Sequence, residues 1–340
     1  MKAALLSDYH EPLELVERAV PEPVDARSVV IRVGGAGVCA TDLHAIEGLM
    51  GPAGFEVPRV LGHENAGWVH EVGDGVTTVT AGDAVLVYPA WSCGLCVPCR
   101  RALDMHCERH QFTGLTRDGG FAEYVLVDER SLIKLPAGVE PHEVAPHSDA
   151  GITAYHAVKK LVPRLDPGST TAIIGVGGVG HIALQVVRAL GAGRIVAIDT
   201  DERRRALARE LGADDVLGEQ ADIVDAVREA TDGAGADVVI DFVATDATHT
   251  AGLEMTARRG LYSTVGYGGM IDVPSVALVV DEKQIAGNLV GSWIDLWELL
   301  QLHARGVVTL RAETHPLDDV NDVLDALRGG DITGRAVLVP

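Results

Sequence analysis

Four of the five cysteines fall within fifteen residues of the chain. They follow the spacing C-x2-C-x2-C-x7-C and are Cys93, Cys96, Cys99 and Cys107. Four thiolates this close together can complete a tetrahedral shell around one metal ion, and such a shell leaves no position for a substrate. The spacing therefore predicts a structural zinc site. It also leaves Cys39 available for a different role.

A second metal site is suggested by Cys39 in GVCATDLH and His63 in RVLGHENAG. A catalytic zinc ion needs three protein ligands and one open position. The best candidate for the third ligand is Asp149 in HSDAGITAYH, with His147 and Glu64 as alternatives. Taken singly, such residues are more often a small buried hydrophobe, a hydrogen-bonded histidine or a helix cap. The prediction therefore depends on their joint context.

A glycine-rich turn follows a predicted strand, Thr171–Ile174, and opens a predicted helix that reaches Leu190. The turn has the pattern G-x-G-x-x-G and contains Gly175, Gly177, Gly178, Val179 and Gly180. In this pattern the first glycine permits a tight turn, the second lets the backbone approach a pyrophosphate, and the third lets the helix pack closely on the strand. The context predicts a dinucleotide-binding site.

The next predicted strand ends at Asp199, 24 residues after Gly175. A carboxylate at this place would accept a hydrogen bond from the adenine ribose 2′-hydroxyl and would repel a 2′-phosphate. The sequence therefore favours NAD over NADP. Arg203, Arg204 and Arg205 follow closely and could soften that preference.

The elements around these motifs change character along the chain. About the first 145 residues read as short strands separated by Gly and Pro, which predicts a small β-rich, barrel-like domain. From Thr170 strands alternate with helices, which predicts a doubly wound parallel sheet covered on both faces. The alternation fades after Gln284. The expected class is therefore α/β, with two domains in 340 residues.

The composition and net charge limit the classes of molecule that the protein can bind. The net charge of −21 argues against nucleic acid and against an anionic membrane surface, because both need basic partners. No apolar run is long enough for a membrane span, and the first residues lack the pattern of a secretory signal. We expect a cytoplasmic protein, since a reducing compartment also favours metal over disulfides at clustered cysteines.

Six segments occur in one order along the chain: GVCATDLHAIEG, GHENAG, the four-cysteine loop, DAGITAYHA, GVGGVG and GRAVLVP. Together they resemble the zinc-dependent medium-chain alcohol dehydrogenases, and the resemblance covers essentially the whole chain. It implies a GroES-like catalytic domain, split around a Rossmann domain. We expect residues 1–150 and 285–340 to form the catalytic domain, and residues 151–284 to bind NAD.

The resemblance also implies roles for particular residues. Cys39, His63 and Asp149 would hold the catalytic zinc ion, with aspartate in place of a cysteine as in a bacterial secondary-alcohol branch. The four-cysteine loop would hold a second zinc ion. The remaining implied catalytic residues are Asp42, which would fix the His63 ring, Glu64, which would lie beside the metal, and Thr41 and His44, which would relay the proton.

Further cofactor contacts implied by the resemblance are Thr153, Val265 and Arg335, in addition to the glycine turn, Asp199 and Arg204. The expected reaction is hydride transfer between an alcohol, or its carbonyl product, and NAD. Residues His44–Met50, Trp91 and Trp293 suggest an apolar pocket, which favours medium-sized secondary or aryl substrates. Trp297 suggests core or interface packing instead, from its apolar helical spacing.

The resemblance implies a homo-oligomer, a tetramer or a dimer. The β-branched segment Val265–Val280 is a candidate strand at the edge of a subunit. Two alternative functions stay open at this point. One is a polyol or amino-acid alcohol dehydrogenase on the same scaffold, and the other is a non-catalytic protein that binds NAD and zinc.

Overall fold

The computed structural model describes residues 1–191, 193–218 and 222–340. The chain divides into two compact units. Unit 1 comprises Met1–Ile152, Gly291–Arg305 and Leu310–Pro340. Unit 2 comprises Thr153–Val290 and Gly306–Thr309. The chain therefore leaves unit 1, builds most of unit 2, and returns to complete unit 1.

The strands, in chain order, are β1 (Lys2–Leu6), β2 (Glu14–Glu17), β3 (Ser28–Val38), β4 (Arg59–Val60), β5 (Glu64–Val72), β6 (Ala84–Val87), β7 (Ala90–Trp91), β8 (Gln111–Phe112), β9 (Tyr124–Asp128), β10 (Leu132–Lys134), β11 (Thr170–Ile174), β12 (Arg194–Ile198), β13 (Asp215–Leu217), β14 (Ala236–Asp241), β15 (Thr256–Thr264), β16 (Gln284–Gly287), β17 (Ala312–Pro316) and β18 (Arg335–Val339).

The helices are α1 (Ala40–Ile46), α2 (Val97–Arg100), α3 (Pro141–Val144), α4 (Ala150–Lys159), α5 (Gly180–Leu190), α6 (Glu202–Glu210), α7 (Ile223–Ala230), α8 (Asp246–Met255), α9 (Ser275–Asp281), α10 (Trp293–Ala304) and α11 (Val320–Gly329). A 3₁₀ turn, Ala145–Ser148, leads into α4.

Unit 1 is organised around a mixed sheet with the strand order β10-β6-β5-β3-β18-β17, and β9 also pairs with β3. The long central strand β3 pairs antiparallel with β5 on one side and with β18 on the other. Its register places Gly37 opposite both Glu64 and Val337. The late strand β18 therefore lies beside the residues that precede Cys39. This β-rich unit confirms the predicted GroES-like domain.

Unit 2 contains a six-stranded sheet with the order β13-β12-β11-β14-β15-β16. Every neighbouring pair in this sheet is parallel. Numbered within the unit, the order is 3-2-1-4-5-6, which confirms the predicted Rossmann sheet. The order reverses between β11 and β14, and ligands of such sheets bind outside the carboxyl ends of the strands at that place. Both the glycine turn and residue Phe242 follow strands that end there.

The predicted edge strand in Val265–Val280 is wrong, because Ser275–Asp281 forms helix α9. Pro274 precedes its first turn, and Val276, Val279 and Val280 are exposed. Strand propensity mainly reflects how a side chain packs on a half-buried sheet, so valines outside a sheet do not specify a strand. Trp297 is 42% exposed and so does not belong to the core. Among the described residues, no helix has the length and hydropathy needed to cross a membrane.

Candidate metal and dinucleotide sites

Helix α1 positions the first candidate ligand, Cys39, which is its N-terminal cap residue. The backbone N–H of Cys39 donates a 2.9 Å hydrogen bond to Asp42 Oδ2. The other oxygen, Asp42 Oδ1, lies 3.2 Å from His63 Nδ1. Asp42 is fully buried. One carboxylate thus fixes the backbone at Cys39 and the ring of His63, and it leaves the Nε2 edge of the histidine facing the metal site.

The candidate ligand atoms of Cys39, His63, Glu64 and Asp149 all lie within 4.8 Å of one another. Asp149 Oδ2 is 3.5 Å from His63 Nε2 and 3.9 Å from Cys39 Sγ. Tetrahedral zinc places an N and an O ligand about 3.4 Å apart and an S and an O ligand about 3.6 Å apart, from its usual bond lengths. Both ring nitrogens of His63 are buried without a hydrogen-bond partner among the described residues; Nδ1 faces the Asp42 carboxylate, and Nε2 faces the other candidate ligands. The cluster therefore fits a zinc ion.

The electrostatics of this cluster also suit a cation. Burial by itself lowers the pKa of His63, but the charge of Asp42 and contacts with Asp149 and Cys39 raise it well above its ordinary value. Burial raises the pKa of Asp149, but His63 and Arg335 hold it below the ordinary value. The protein groups alone thus place anionic and cationic forms side by side, as expected for a site that a metal ion completes.

Glu64 is held beside the cluster by two partners. Its Oε1 accepts a 3.0 Å hydrogen bond from the Ala150 N–H, and its Oε2 is paired with the guanidinium of Arg335. Glu64 is fully buried and Arg335 is 4% exposed. Burial raises the pKa of Glu64, while Arg335 and His63 oppose that rise. A Cβ atom at Gly37 would lie 2.0 Å from Glu64 Oε2, so only glycine fits there.

The alternative ligand His147 lies elsewhere. Its Nε2 is 3.0 Å from His303 Nδ1, and it is not part of the ligand cluster. Burial lowers the pKa of His303, which favours its neutral form. A Cβ atom at Gly151 would lie 2.3 Å from His147 Nδ1, so the ring also packs against the start of α4. Of the three alternatives for the third ligand, the structure brings Asp149 and Glu64 to the cluster.

The two predicted relay residues lie on α1, three residues apart. Thr41 Oγ1 is 3.8 Å from Cys39 Sγ. His44 is in the last turn of the helix, and both side chains are partly buried. Residues at this spacing occupy the same face of a helix. The arrangement places a hydroxyl next to the candidate metal and an imidazole one turn further along.

The four cysteines of the loop form the second cluster, with ligand atoms within 4.8 Å of one another. The Sγ–Sγ distance is 3.4 Å for Cys96–Cys99, 3.9 Å for Cys96–Cys107 and 4.0 Å for Cys93–Cys99. Tetrahedral zinc places two sulfur ligands about 3.8 Å apart. The geometry therefore fits a closed zinc site.

Backbone N–H groups point at these sulfur atoms. Those of Leu95 and Cys96 donate to Cys93 Sγ, each at 3.4 Å, and lower the pKa of Cys93 to about 6. Burial raises the pKa of Cys99 to about 12. Hydrogen bonds of this kind stabilise thiolates, and zinc binds thiolates. The backbone of the loop itself thus helps to prepare its sulfur atoms for a metal ion.

The glycine turn of unit 2 has the geometry expected of a phosphate cradle. Gly175 has φ +87°, which a side chain would strain. A Cβ atom at Gly180 would lie 1.8 Å from the Gly175 carbonyl oxygen, so helix and strand need this close contact. At Gly177 the nearest atom to such a Cβ is Arg204 Cζ, at 4.0 Å. The space over Gly177 therefore stays open for a ligand.

Asp199, at the end of β12, is 8% exposed. Its Oδ2 accepts a 2.8 Å hydrogen bond from the Val176 N–H, and its Oδ1 accepts one of 2.9 Å from the Asp201 N–H. The carboxylate is thus fixed directly to the glycine turn. This contact places the predicted ribose ligand beside the predicted phosphate cradle.

The three remaining predicted cofactor contacts lie in different places. Val265 follows β15, and its N–H donates a 2.8 Å hydrogen bond to the Asp241 carbonyl oxygen. The Thr153 carbonyl oxygen accepts a hydrogen bond from Asn288 at 3.3 Å. Arg335 lies in unit 1, paired with Glu64. No local sequence pattern indicates that pairing, because the two residues are 271 positions apart.

A parallel sheet with a glycine turn, together with a buried cysteine–histidine–carboxylate cluster, is typical of a metal-dependent dehydrogenase. Residues 25–137 match the family model of the alcohol dehydrogenase GroES-like domain, and residues 178–305 match that of the zinc-binding dehydrogenases. The chain therefore belongs to the zinc-dependent medium-chain alcohol dehydrogenase family.

Individual relatives agree with this assignment over their full length. The D-arabinose 1-dehydrogenase (NADP(+)) of Saccharolobus solfataricus is 37% identical, over 100% of this chain and 97% of that protein. The NAD-dependent alcohol dehydrogenase of Sulfurisphaera tokodaii is 34% identical, over 100% of both chains. The crystal structure of the alcohol dehydrogenase from Aeropyrum pernix superimposes with a TM-score of 0.97 at 42% identity, over 100% of both chains.

Replacing one ligand in each cluster should separate the two metal sites. We expect Cys39→Ala to bind one zinc ion per chain instead of two, to lose activity by on the order of a thousandfold, and to melt close to the wild type. Cys93→Ala should also bind one zinc ion, but its Tm should fall by about 5 °C or more, because a closed site contributes folding energy. Metal analysis, turnover and calorimetry measure these effects. A Cys39→Ala protein with two zinc ions and normal turnover would contradict the assignment.

Two glycines of the turn should respond differently to an added methyl group. Gly180→Ala should lower Tm, because overpacking against the Gly175 carbonyl typically costs about 1–3 kcal/mol. Gly177→Ala should leave Tm unchanged but raise the Kd for NADH at least about tenfold, since the methyl group occupies the space over the turn. Calorimetry and NADH fluorescence titration test both. Equal NADH affinity in Gly177→Ala and the wild type would exclude the turn as the phosphate site.

Proposed function

We propose that the protein oxidises an alcohol to a carbonyl compound, and catalyses the reverse reaction, with zinc and NAD. The observation that carries this proposal is the buried cluster of Cys39, His63 and Asp149, with a hydroxyl and an imidazole beside it on α1. A zinc ion held there would supply Lewis-acid chemistry at the alcohol or carbonyl oxygen, and NAD would supply the hydride acceptor.

The residues on α1 would handle the proton. The Thr41 hydroxyl is placed to accept the proton of the substrate hydroxyl, because its Oγ1 lies 3.8 Å from the candidate ligand Cys39 Sγ. His44, on the same face of α1, would pass that proton to solvent, a role that suits a histidine near neutral pH. No nucleophilic side chain is required, because the reaction forms no covalent bond to the protein.

The two charged ligands of the cluster match the charge of a zinc ion. Thiolate Cys39 and carboxylate Asp149 carry two negative charges, which balance those of a divalent zinc ion. Glu64 would add a third negative charge, but its pairing with Arg335 offsets that charge. The same pairing and the bond from the Ala150 N–H hold Glu64 back from the metal position. We propose that Asp42 keeps the His63 ring oriented. Glu64 would remain beside the metal as an alternative carboxylate ligand.

We propose NAD as the physiological cofactor. Asp199 presents a carboxylate that is fixed at the glycine turn, and a carboxylate there attracts the ribose 2′-hydroxyl and repels a 2′-phosphate. Arg204 lies near Gly177 and provides a positive charge on the same side of the turn. The relative that is named as NADP-dependent makes the comparison of NAD with NADP a necessary part of any assay.

Medium-sized secondary or aryl alcohols are the proposed substrates. Met50, Trp91 and Leu115 are partly buried apolar side chains that pack against the core of unit 1, the unit that holds the zinc cluster. Trp293 is also partly buried there, and its indole N–H donates to the Leu132 carbonyl at 3.3 Å. A sugar alcohol is the second candidate, and a single observation favours it: a relative at 37% identity is named D-arabinose 1-dehydrogenase.

A substrate panel should distinguish these two candidates. We expect NADH formation with secondary and aryl alcohols at a kcat/KM at least about tenfold higher than with aldoses and polyols, and slower reaction with NADP⁺ than with NAD⁺. Chelator should abolish turnover, and added Zn²⁺ should restore it. Higher activity on D-arabinose than on any alcohol would favour the second candidate. If no alcohol or sugar reacts with zinc and NAD bound, the protein is a non-catalytic binder.

We also propose that the chain forms a homo-oligomer, a tetramer or a dimer. Helix α9 exposes Val276, Val279 and Val280 at 65%, 74% and 67%. Strand β16 pairs with β15 and with no other strand among the described residues. An exposed apolar face beside an unpaired strand edge is typical of a protein–protein contact, and a second copy of unit 2 offers a matching face and edge.

Charged substitutions on α9 should test that contact. The double variant Val276→Asp/Val279→Asp should shift the mass measured by light scattering to that of a smaller assembly, because each carboxylate would be buried against an apolar partner. Val24→Asp is the matched control, since Val24 is equally exposed, at 70%, but lies in unit 1. A wild-type protein that is monomeric at micromolar concentration would overturn this proposal.

A cytoplasmic location is proposed on the chemistry of the cysteines. All five are free thiols in the structure, and four of them form a cluster that fits zinc. Clustered thiols persist and bind metal in a reducing compartment, whereas an oxidising compartment converts them to disulfides. Neither nucleic acid nor a membrane is a proposed partner, given the net charge of −21.

A further inference from the structure

Unit 2 contains a buried chain of three polar side chains that the reaction does not use. His249 Nδ1 lies 2.6 Å from the hydroxyl oxygen of Tyr262, and that hydroxyl donates a 2.7 Å hydrogen bond to Asp241 Oδ2. The three residues come from α8, β15 and β14. Tyr262 and Asp241 are fully buried and His249 is 4% exposed. We refer to these three side chains as the Asp241 network.

The direction of the hydrogen bonds follows from the chemistry of the groups. An ionised carboxylate can only accept, so the Tyr262 hydroxyl donates its hydrogen bond to Asp241. The hydroxyl oxygen must then accept from His249, which places a proton on His249 Nδ1. Burial, followed by the bond to Asp241, raises the pKa of Tyr262, and the hydroxyl therefore keeps its proton. Tyr262 is part of the apolar cluster of unit 2, and the bonds of its hydroxyl to both neighbours favour a single arrangement of the network.

The other oxygen atoms of Asp241 accept hydrogen bonds from two backbone segments, those that follow β14 and β15. Its Oδ1 accepts hydrogen bonds from the N–H groups of Val243, at 2.8 Å, and Ala244, at 2.9 Å. Its carbonyl oxygen accepts from Val265, at 2.8 Å, and Gly266, at 3.2 Å. Ala244 has φ +57°, a left-handed conformation that costs energy for a residue with a side chain. One aspartate thus fixes two loops, at residues 242–244 and 265–266.

These loops lie at the carboxyl edge of the sheet, where its strand order reverses. The Phe242 N–H donates a 2.9 Å hydrogen bond to the carbonyl oxygen of Ile174, the last residue of β11. A Cβ atom at Gly175 would lie 2.7 Å from Val243 Cγ2, and one at Gly180 would lie 3.4 Å from Phe242 Cδ2. Loop 242–244 therefore packs directly on the glycine turn. This edge is where a sheet of this order binds its dinucleotide.

We propose that Tyr262 and His249 are positioning residues for the dinucleotide. They do not contact the cofactor, but they hold Asp241 in the orientation that fixes loops 242–244 and 265–266 against the glycine turn. Without the Tyr262 hydroxyl, Asp241 Oδ2 would lose its hydrogen-bond donor, with His249 Nδ1 3.8 Å away, and the N–H groups of Val243 and Ala244 alone would orient the carboxylate. This inference rests on the proposed function, because the glycine turn must bind NAD for the loops to matter to it.

The experiment compares Tyr262→Phe with the wild type in NADH fluorescence titration, steady-state kinetics and calorimetry. We expect the Kd for NADH and the KM for NAD⁺ to rise roughly tenfold, as loss of one buried hydrogen-bond partner allows. The kcat at saturating NAD⁺ should stay within about twofold. Tyr88→Phe is the matched control, because Tyr88 is also buried and its hydroxyl donates one 2.9 Å hydrogen bond, to the Gly291 carbonyl of unit 1. We expect the Tm of Tyr88→Phe to fall by about as much as that of Tyr262→Phe, but the NADH affinity of Tyr88→Phe should equal that of the wild type.

A second comparison starts at the other end of the network and serves if Tyr262→Phe does not fold. His249→Asn keeps an N–H near the position of Nδ1, whereas His249→Leu removes the donor. We expect near-wild-type NADH affinity in His249→Asn and a Kd raised about fivefold in His249→Leu. Rescue by the asparagine variant separates a hydrogen-bond effect from a loss of packing.

The possible outcomes separate this inference from the proposed function. If the wild type binds NADH but Tyr262→Phe and His249→Leu bind it equally well with lowered Tm, the network is structural only and the inference is overturned. If the wild type itself binds no NADH, both the proposed function and the inference fail. Raised Kd in both variants, with kcat retained, supports the positioning role.

Discussion

The candidate metal site depends on one buried ion pair, Glu64 with Arg335. Each charge would lose several kcal/mol of hydration on burial if it were alone, and only a close partner offsets that loss. The pair also restricts its surroundings. Gly37 has no side chain because Glu64 occupies the space, and the Ala150 N–H at the start of α4 is turned toward the carboxylate. The elements that carry Cys39, His63 and Asp149 therefore meet around an ion pair whose charges also act on those ligands.

The two clusters stabilise their negatively charged metal ligands in different ways. In the cysteine loop, backbone N–H groups near the surface stabilise the thiolates, so the loop needs only its own local conformation. In the buried cluster, the ligands come from separate elements and are fixed by the side chains of Asp42, Glu64 and Arg335. A short cysteine pattern can specify the first kind of site by itself, whereas the second kind depends on the fold.

This difference explains how much could be predicted from the sequence. The cysteine spacing and the glycine turn are local patterns, and the structure brings both sets of residues together as their spacing implies. The choice between Asp149, Glu64 and His147 stayed open, because it depends on how β5 and the 3₁₀ turn before α4 place these side chains relative to Cys39 and His63. The contact of His147 with His303 places His147 outside the cluster, and no pattern within the sequence points to a contact between residues 156 positions apart.

Two other features of the structure could not be predicted from local sequence patterns. The valines before Asp281 suggested a strand, but their side chains face away from any sheet, so their preference for packing on a pleated surface has no effect there. The Asp241 network combines a carboxylate, a phenol and an imidazole that are unremarkable in sequence. It becomes visible only when β14, β15 and α8 are packed together.

The interrupted course of unit 1 has a consequence for how the chain is made. Strand β3 needs β18 on one side, and β18 is synthesised only after the whole of unit 2. Most of unit 2 is continuous in sequence and can fold while it leaves the ribosome. Strand β9 already pairs with the first part of β3, but the segment 36–38 must wait for β18. Arg335 is part of β18, so Glu64 has no partner for its charge until β18 has been synthesised and has paired with β3. The metal cluster is therefore among the last parts of the chain to form. Its formation shows that unit 1 is complete.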